Sequence, residues 1–499
     1  MASRAAEAVF GAQIDVYSVR GQLVRSPATA LSVPSQLAGV VDAVVGLDDS
    51  AQFIQLNQVV DKSAPPPAGF RNAPPLADYF GQLASTYAFP SGFTADPAGS
   101  GTVPWSVKGN TPAQIKSAYG IDPSATGAGQ TVAVIDAYAS PTIVSDVNTW
   151  STKRGLPTFK PGQFTQVVAP GTYRRPQNPR QDPQGWSGEE TLDIEAVHGM
   201  APAAKIVYVG APNNYQDLDA ALNHVGDRHL AQIVTNSYGF STEALPPGYI
   251  KPYNDTFIQA AAEGIGVYFS SGDNGDETSL FGAGNQTPDW PASSPWVTAV
   301  GGTALGVGAN GQRVVETGWG TSNYKCTGTT CTFVSWLYGA GGGISKLFPK
   351  PSYQASLTSS GRAVPDVAAL ADPQTGLLVG QTQTFPDGAY YDEYRIGGTS
   401  LASPIFAGLM ALADQKAGSP HGFANPYIYD HASSFTDIGS VKTAVARANF
   451  NNGVDATNGI SDFLRTFDDY TGSPTQHTNA GWDNVTGLGV PLGGTALFP

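Results

Sequence analysis

From about Thr111 onward the chain alternates short, continuous apolar runs with stretches of helical period. Gln130-Thr131-Val132-Ala133-Val134-Ile135-Asp136 is the kind of run that suits a strand buried on both faces of a parallel sheet. Lys205–Gly210, Gln232–Asn236 and Gly266–Ser270 read the same way, with helical patterns at Asp217–Leu230 and Tyr253–Glu263 between them. The alternation predicts an α/β fold with an open, doubly wound, mostly parallel sheet. Leu401–Gln415 is an Ala- and Leu-rich helix preceded by Gly397-Gly398-Thr399-Ser400. Pro404 is expected in its first turn, where the missing N–H has no intrahelical partner to lose. Ser400 then stands at a helix N-terminus, where unpaired N–H groups and the helix dipole favour negative charge. A nucleophile that builds an oxyanion beside it wants that place, while an N-cap is the ordinary alternative for Thr399 or Ser400.

Residues 1–60 read as a small α+β piece: a helix over Arg4–Phe10, a hairpin over Ala12–Val24 around Arg20-Gly21, and a second amphipathic helix over Pro34–Leu47. Residues 61–110 are rich in Pro and Gly and read as a linker exposed to proteolysis. The expected division is therefore 1–60, 61–110 and 111–499.

Composition narrows the class. Charged residues make up only 13% of the chain, whereas there are 59 Gly and 38 Pro, a mix that suits a loop-rich extracellular enzyme. A formal net charge of −14 argues against nucleic-acid binding. With so few Lys and Arg, protonating the carboxylates leaves modest self-repulsion, which is compatible with work in acid. The two cysteines, Cys326 and Cys331, read as a small loop disulfide formed in an oxidising compartment. No apolar run is long enough to span a membrane. No secretory signal is visible at Met1–Glu7, so either the chain is not exported or its natural start is missing.

Glu189 and Asp193 are four apart, so a helix carries both on one face, close enough to share a proton. Such a pair can keep a carboxylate basic at a pH where histidine would be protonated, though a solvated acidic helix face is the commoner outcome for this spacing. Ser270-Ser271-Gly272-Asp273-Asn274-Gly275 follows a strand directly, at the end of the sheet where ligands bind, or forms an Asx turn.

Together, Glu189-x-x-x-Asp193, Ser-Gly-Asp273-x-Gly and Gly-Gly-Thr-Ser400-Leu-Ala-Ser-Pro resemble the sedolisin family, the acid-acting serine-carboxyl peptidases of subtilisin-like fold. Met200–Ala204, Gly341–Ser345, Pro351–Gln354 and Val364–Ala368 agree with it, and residues 1–60 resemble the later part of the family's activation propeptide. The resemblance implies Ser400 as nucleophile, Glu189 (rather than Glu190) as general base, Asp193 as its tuning partner and a protonated Asp273 as oxyanion donor. It implies Gly341–Gly343 along the substrate backbone. It also implies one structural calcium ion held by the carboxylates of Asp437 and Asp483 and the carbonyls of Ile438, Asn479 and Gly481. Gly439 and Asn479 depart from the family pattern there, and the segment between the two halves is long. The expectation is a secreted, monomeric endopeptidase made as a proenzyme, with polypeptide substrates and its own propeptide as partners.

Two rivals stay open. A Ser–His–Asp peptidase of the subtilisin type could use Asp136, but the histidine that should follow about 30 residues on is absent, and His198 comes too late. A non-catalytic binding protein could keep the fold, but all four chemical positions hold the required residue types.

Overall fold

The computed structural model describes residues 3–19, 22–41, 43–55, 58–59, 74–93, 98–168, 182–385, 388–450, 460–467 and 476–491. The main sheet runs, from edge to edge, Arg313–Gly318, Thr298–Val307, Gly266–Ser270, Ile233–Asn236, Thr131–Ala137, Lys205–Ala211 and Phe164–Val168, with Val367–Leu370 also paired to Thr298–Val307. All these pairings are parallel except that of Arg313–Gly318 with Thr298–Val307. Alternate residues of the central strand feed opposite cores. Val132 and Val134 pack with Leu192, Leu401 and Leu409 on one face. Ala133 and Ile135 pack with Leu218, Leu222 and Phe257 on the other. The expected open α/β sheet, covered on both faces and subtilisin-like, is what forms.

Two helices on the first face carry the site residues, Pro183–Met200 and Thr399–Ala417. They cross closely because position 408 is glycine; a Cβ there would lie 2.7 Å from Met200 Cβ. The second helix starts earlier than expected, so Pro404 sits inside it rather than in its first turn. The carbonyl that its missing N–H would have served, Ser400 O, instead accepts from Ser237 Oγ at 3.1 Å. Thr235 Oγ1 and Ser403 Oγ, 2.9 Å apart, pin the same helix to the sheet.

Near the N-terminus the helix Ser3–Phe10 and the hairpin Ile14–Val19 with Gln22–Pro27 form as expected. The amphipathic helix expected over Pro34–Leu47 does not form; only the 3-10 turn Ser35–Leu37 does. Nothing covers its apolar side, since Leu37 and Val40 are exposed, and an unpacked short helix is marginal in water. Farther on, Ile54–Gln55 pairs antiparallel with Tyr238–Gly239, and Gln58–Val59 pairs antiparallel with Ile396–Gly397. Parts of the stretch read as a linker, residues 61–73 and 94–97, lie outside the described residues. Most of the rest packs on the main body: Phe80 N donates to Val307 O, and Phe80, Val103 and Val107 are buried. Its prolines and glycines serve turns between apolar anchors.

A four-stranded antiparallel sheet packs against the main body through Val445, in the order Thr330–Gly339, Gly320–Thr327, Ile460–Phe467 and Thr443–Phe450. The Cys326–Cys331 disulfide joins directly opposed residues of its first hairpin. The second hairpin accounts for the long segment between the two halves of the expected calcium site. Among the described residues no helix is long and apolar enough to cross a membrane.

Candidate active site

The site forms where strand ends, a Gly-rich turn and two helix ends meet. Gly398, at φ +106°, turns the chain into the Thr399–Ala417 helix, and its N–H is held by Ala371 O at 2.6 Å. Ser400 is fully buried in the first helical turn, with Oγ donating to Ser237 O at a long 3.3 Å.

Asp273 is bound to the same loop. Its Oδ1 accepts from Thr399 N and from Thr399 Oγ1, both at 2.8 Å. Thr399 Oγ1 lies 3.1 Å from both Gly272 N and Gly272 O. The turn carrying Asp273 is closed from behind by Asp289: a Cβ on Gly272, at φ +116°, would lie 2.4 Å from Asp289 Oδ2. Burial, and then the nearby Glu277 and Asp273, push the Asp289 carboxyl well above its usual range. Burial likewise lifts Glu277 to about 7.

Glu189 and Asp193 lie on successive turns of the Pro183–Met200 helix, both fully buried. Asp193 Oδ1 accepts from Ser237 Oγ at 2.9 Å, so one hydroxyl bridges Asp193 and the Ser400 carbonyl. Burial and the neighbouring Glu189 push the Asp193 carboxyl well up. Asp136, at the end of the central strand, is pushed up by burial and then by Asp193, Glu189 and Glu190. Neither of its oxygens receives an amide or hydroxyl hydrogen bond among the described residues, so its burial depends on a proton kept on the carboxyl cluster. Glu190 faces away. It accepts from Ser140 N and from Gln166 Nε2, the latter at 3.1 Å, and burial lifts it to about 8.

Ser237 and Asp136 were not singled out for this cluster from the sequence. The available signal was position, since both sit at the carboxyl ends of strands on either side of the sheet centre. His198 offers no triad. Its Nε2 is 2.8 Å from Pro157 O, and it lies nine residues, about 13 Å, along the helix from Glu189.

Gly341 and Gly342 pack tightly against neighbouring backbone. A Cβ on either would strike backbone, Ser271 O at 2.3 Å and Asn484 O at 2.2 Å, so they are the close approach of the 340s loop to the catalytic turn. Gly343, at φ +141°, has room. Asp366 and Gln354, in two further matched segments, form a buried support: Arg362 Nη2 to Asp366 Oδ2 is 2.6 Å, and Gln354 Nε2 donates to Ala363 O at 2.8 Å.

The two halves expected to hold calcium are in contact. Gly481 N donates to Asp437 Oδ2 at 2.8 Å and Asn479 N to Asp483 Oδ2 at 3.3 Å. Asp483 Oδ1 also accepts from Val485 N and Thr486 N. Despite these donors, burial lifts Asp483 to about 7. Two carboxylates and backbone carbonyls are the oxygen donors a hard cation takes.

A Subtilase family model matches residues 176–459, more than half of the chain. Kumamolisin from Bacillus sp. (strain MN-32) is 34% identical over 398 residues, covering 77% of this chain and 62% of its own length. Sedolisin from Pseudomonas sp. (strain 101) is 28% identical over 448 residues, covering 86% and 66% respectively. The chain thus spans somewhat under two thirds of the length of these curated relatives. Pseudomonas sedolisin in complex with two molecules of pseudo-iodotyrostatin superposes with a TM-score of 0.59 at 26% identity, over 77% of this chain and 95% of that one. The fold and these matches define a subtilase. Within that class, the chain belongs to the sedolisin–kumamolisin family.

Proposed function

We propose that the chain is an acid-acting serine-carboxyl endopeptidase that works on polypeptides outside the cell, as a monomer matured from a proenzyme. The observation that carries this reading is the Ser237 hydroxyl joining Asp193 to the Ser400 backbone, with Asp273 bound to Thr399 on the other side. It puts buried carboxyls, in place of an imidazole, around a serine at a helix N-terminus.

In the proposed reaction Glu189 takes the Ser400 proton as Oγ bonds to the peptide carbonyl carbon. Asp193, oriented by Ser237, shares the charge with Glu189. The carbonyl oxygen becomes an oxyanion beside Asp273. Asp273 Oδ1 already accepts two bonds, so the proton it donates sits on Oδ2. The C–N bond then breaks, the amine leaves with the proton held by Glu189, and water splits the ester to restore Ser400. The mechanism requires a protonated Asp273 and a Glu189–Asp193 pair that shares one proton, a combination that acid favours. A calcium ion on Asp437, Asp483 and the carbonyls of Ile438, Asn479 and Gly481 would supply rigidity to the C-terminal loops.

The test is peptide hydrolysis at about pH 4 by wild-type, Ser400→Ala and Glu189→Gln chains. Losses of ~10⁴-fold or more in the first variant and at least ~10²-fold in the second are expected. A protein that binds peptide equally well in all three and cuts in none would be a scaffold.

A further inference from the structure

Three segments that leave the Ser400 cluster meet again beyond it. From Ser237, whose carbonyl accepts from Ser400 Oγ, the chain runs through Phe240 to residues 242–245. From Asp273 it runs through the short helix Thr278–Phe281 to residues 285–287. The 340s loop, held to the catalytic turn where Gly341 N donates to Gly272 O at 2.7 Å, runs on to Lys346 and Leu347. Between the three lies an open cavity of about 640 Å³, whose lining includes Glu243, Leu245, Phe281, Thr287, Lys346 and Leu347.

The walls are tied to one another and to the catalytic turn. Glu243 is buried, and its carboxylate accepts from Ser345 Oγ and Lys346 N, both at 2.6 Å, and from Leu347 N at 3.3 Å. Its own N–H donates to Thr287 Oγ1 at 3.3 Å, and Thr287 N donates to Asp276 O at 3.3 Å, three residues past Asp273. A buried carboxylate with three such donors fixes a loop in one shape. The lining is mainly apolar. Phe281 and Leu347, from two different walls, are each 46% exposed, and Leu245 is backed by the second core. Lys346 Nζ donates to Gln286 O at 2.9 Å, which leaves two of its three N–H groups for a ligand. A preformed cavity of this size, apolar with a few fixed polar groups, is the ordinary form of a binding site.

We infer that this cavity is a remote subsite for the polypeptide substrate, taking a bulky apolar side chain several residues from the bond that is cut, with Lys346 favouring a carboxylate beside that side chain. This rests on the peptidase reading above and adds a substrate class to it. Ser237 and Thr242 are five residues apart, a span of at most about 18 Å, so an extended chain cut at Ser400 reaches the cavity within about five or six residues. The continuity of all three walls with the catalytic turn favours substrate as the occupant over a second copy of the chain. Contacts made this far from the reacting carbonyl raise kcat/KM by holding the substrate in place, and they select for sequence well away from the cut.

The experiment uses the acid-treated full chain at about pH 4 and a synthetic peptide cut at one bond, identified by mass. Phe or Gly is placed in turn at each position up to about seven residues from that bond on either side. At one remote position the Phe peptide should be cut about 10- to 100-fold faster than the Gly peptide, the gain that burying a ring implies. That ratio should shrink at least about fivefold in Phe281→Ala and in Leu347→Asp, chiefly through KM. Beside the same position Glu should be preferred to Lys, and Lys346→Met should remove that preference. Leu347 is half exposed, so its variant keeps the test decisive if Phe281→Ala folds poorly. Rates indifferent to Phe at every remote position, or a ratio unchanged in both variants, overturn this inference and leave the peptidase reading intact. So does a variant that alters the oligomeric state in sedimentation with the ratio untouched, since the cavity is then a contact between copies. If wild type cuts neither peptides nor denatured protein, the peptidase reading fails, and this inference with it.

Discussion

Ser237→Ala isolates the link that the carboxyl account depends on. The change removes one oxygen and adds no volume at a fully buried position. It takes away the one hydroxyl hydrogen shared between Asp193 Oδ1 at 2.9 Å and Ser400 O at 3.1 Å, and Pro404 offers that carbonyl no replacement. One buried acceptor left unserved costs ~1–3 kcal/mol. If the Asp193 bond accounts for about 1.4–2.8 kcal/mol of transition-state support, kcat/KM falls about 10- to 100-fold. The sign of the pH effect follows from the same bond. Ser237 donates to the ionised form of Asp193 and so lowers its affinity for a proton; without the donor Asp193 holds its proton to higher pH. The acid limb of the kcat/KM profile should therefore move upward in pH, with a melting temperature only a few degrees lower. The assay is a pH series from 3 to 7 on a fluorogenic peptide for both proteins, with thermal melts alongside. An unchanged acid limb with full activity would refute the bridging role. A large loss of melting temperature with an unchanged limb would reduce Ser237 to packing.

Three further outcomes are expected. Stability should fall as pH rises: Glu190 at about 8, Glu277 at about 7 and Asp219 at about 6 all hold protons in the folded chain that the unfolded chain releases near 4.5 or below, so their contribution is complete below that and lost up to pH 8. Thermal melts should show this decline, and Glu190→Gln should flatten part of it; a melting temperature that climbs with pH contradicts it. Gly272→Ala should lower kcat/KM at least ~10-fold, because its Cβ meets Asp289 and φ is +116°, a conformation that costs a non-glycine residue about 1–3 kcal/mol; kinetics matching wild type would show that the turn gives way without moving Asp273. Chelator should lower the melting temperature of wild type but not of Asp483→Asn, with metal analysis returning about one calcium per chain; an indifferent wild type argues against a bound ion.

The sheet was legible because its strands are buried on both faces, leaving apolar runs such as Val132–Ile135 that few other structures produce. Ser400 and the Glu189–Asp193 pair were legible only together, through the motifs they share with a known family, because each alone reads as well or better as an N-cap or a solvated acidic helix face. Ser237 was not, because nothing local marks it, and Asp136 was legible only as the acid of a rival triad; both matter through strand order, which brings the ends of Thr131–Ala137 and Ile233–Asn236 side by side. The false helix at Pro34–Leu47 fails for the complementary reason, since periodicity predicts an apolar face and cannot show whether a partner covers it. The pairings of Ile54–Gln55 with Tyr238–Gly239 and of Gln58–Val59 with Ile396–Gly397 have two residue pairs each, too short for any periodic signal.

The most direct measurement of the central claim is kcat/KM from pH 3 to pH 9 on one peptide, for wild type and Ser400→Ala. The carboxyl account predicts a maximum below about pH 5, a fall toward neutrality as Asp273 loses the proton it donates, and no activity in the variant at any pH. A maximum above neutral, or residual wild-type activity in Ser400→Ala, would contradict it.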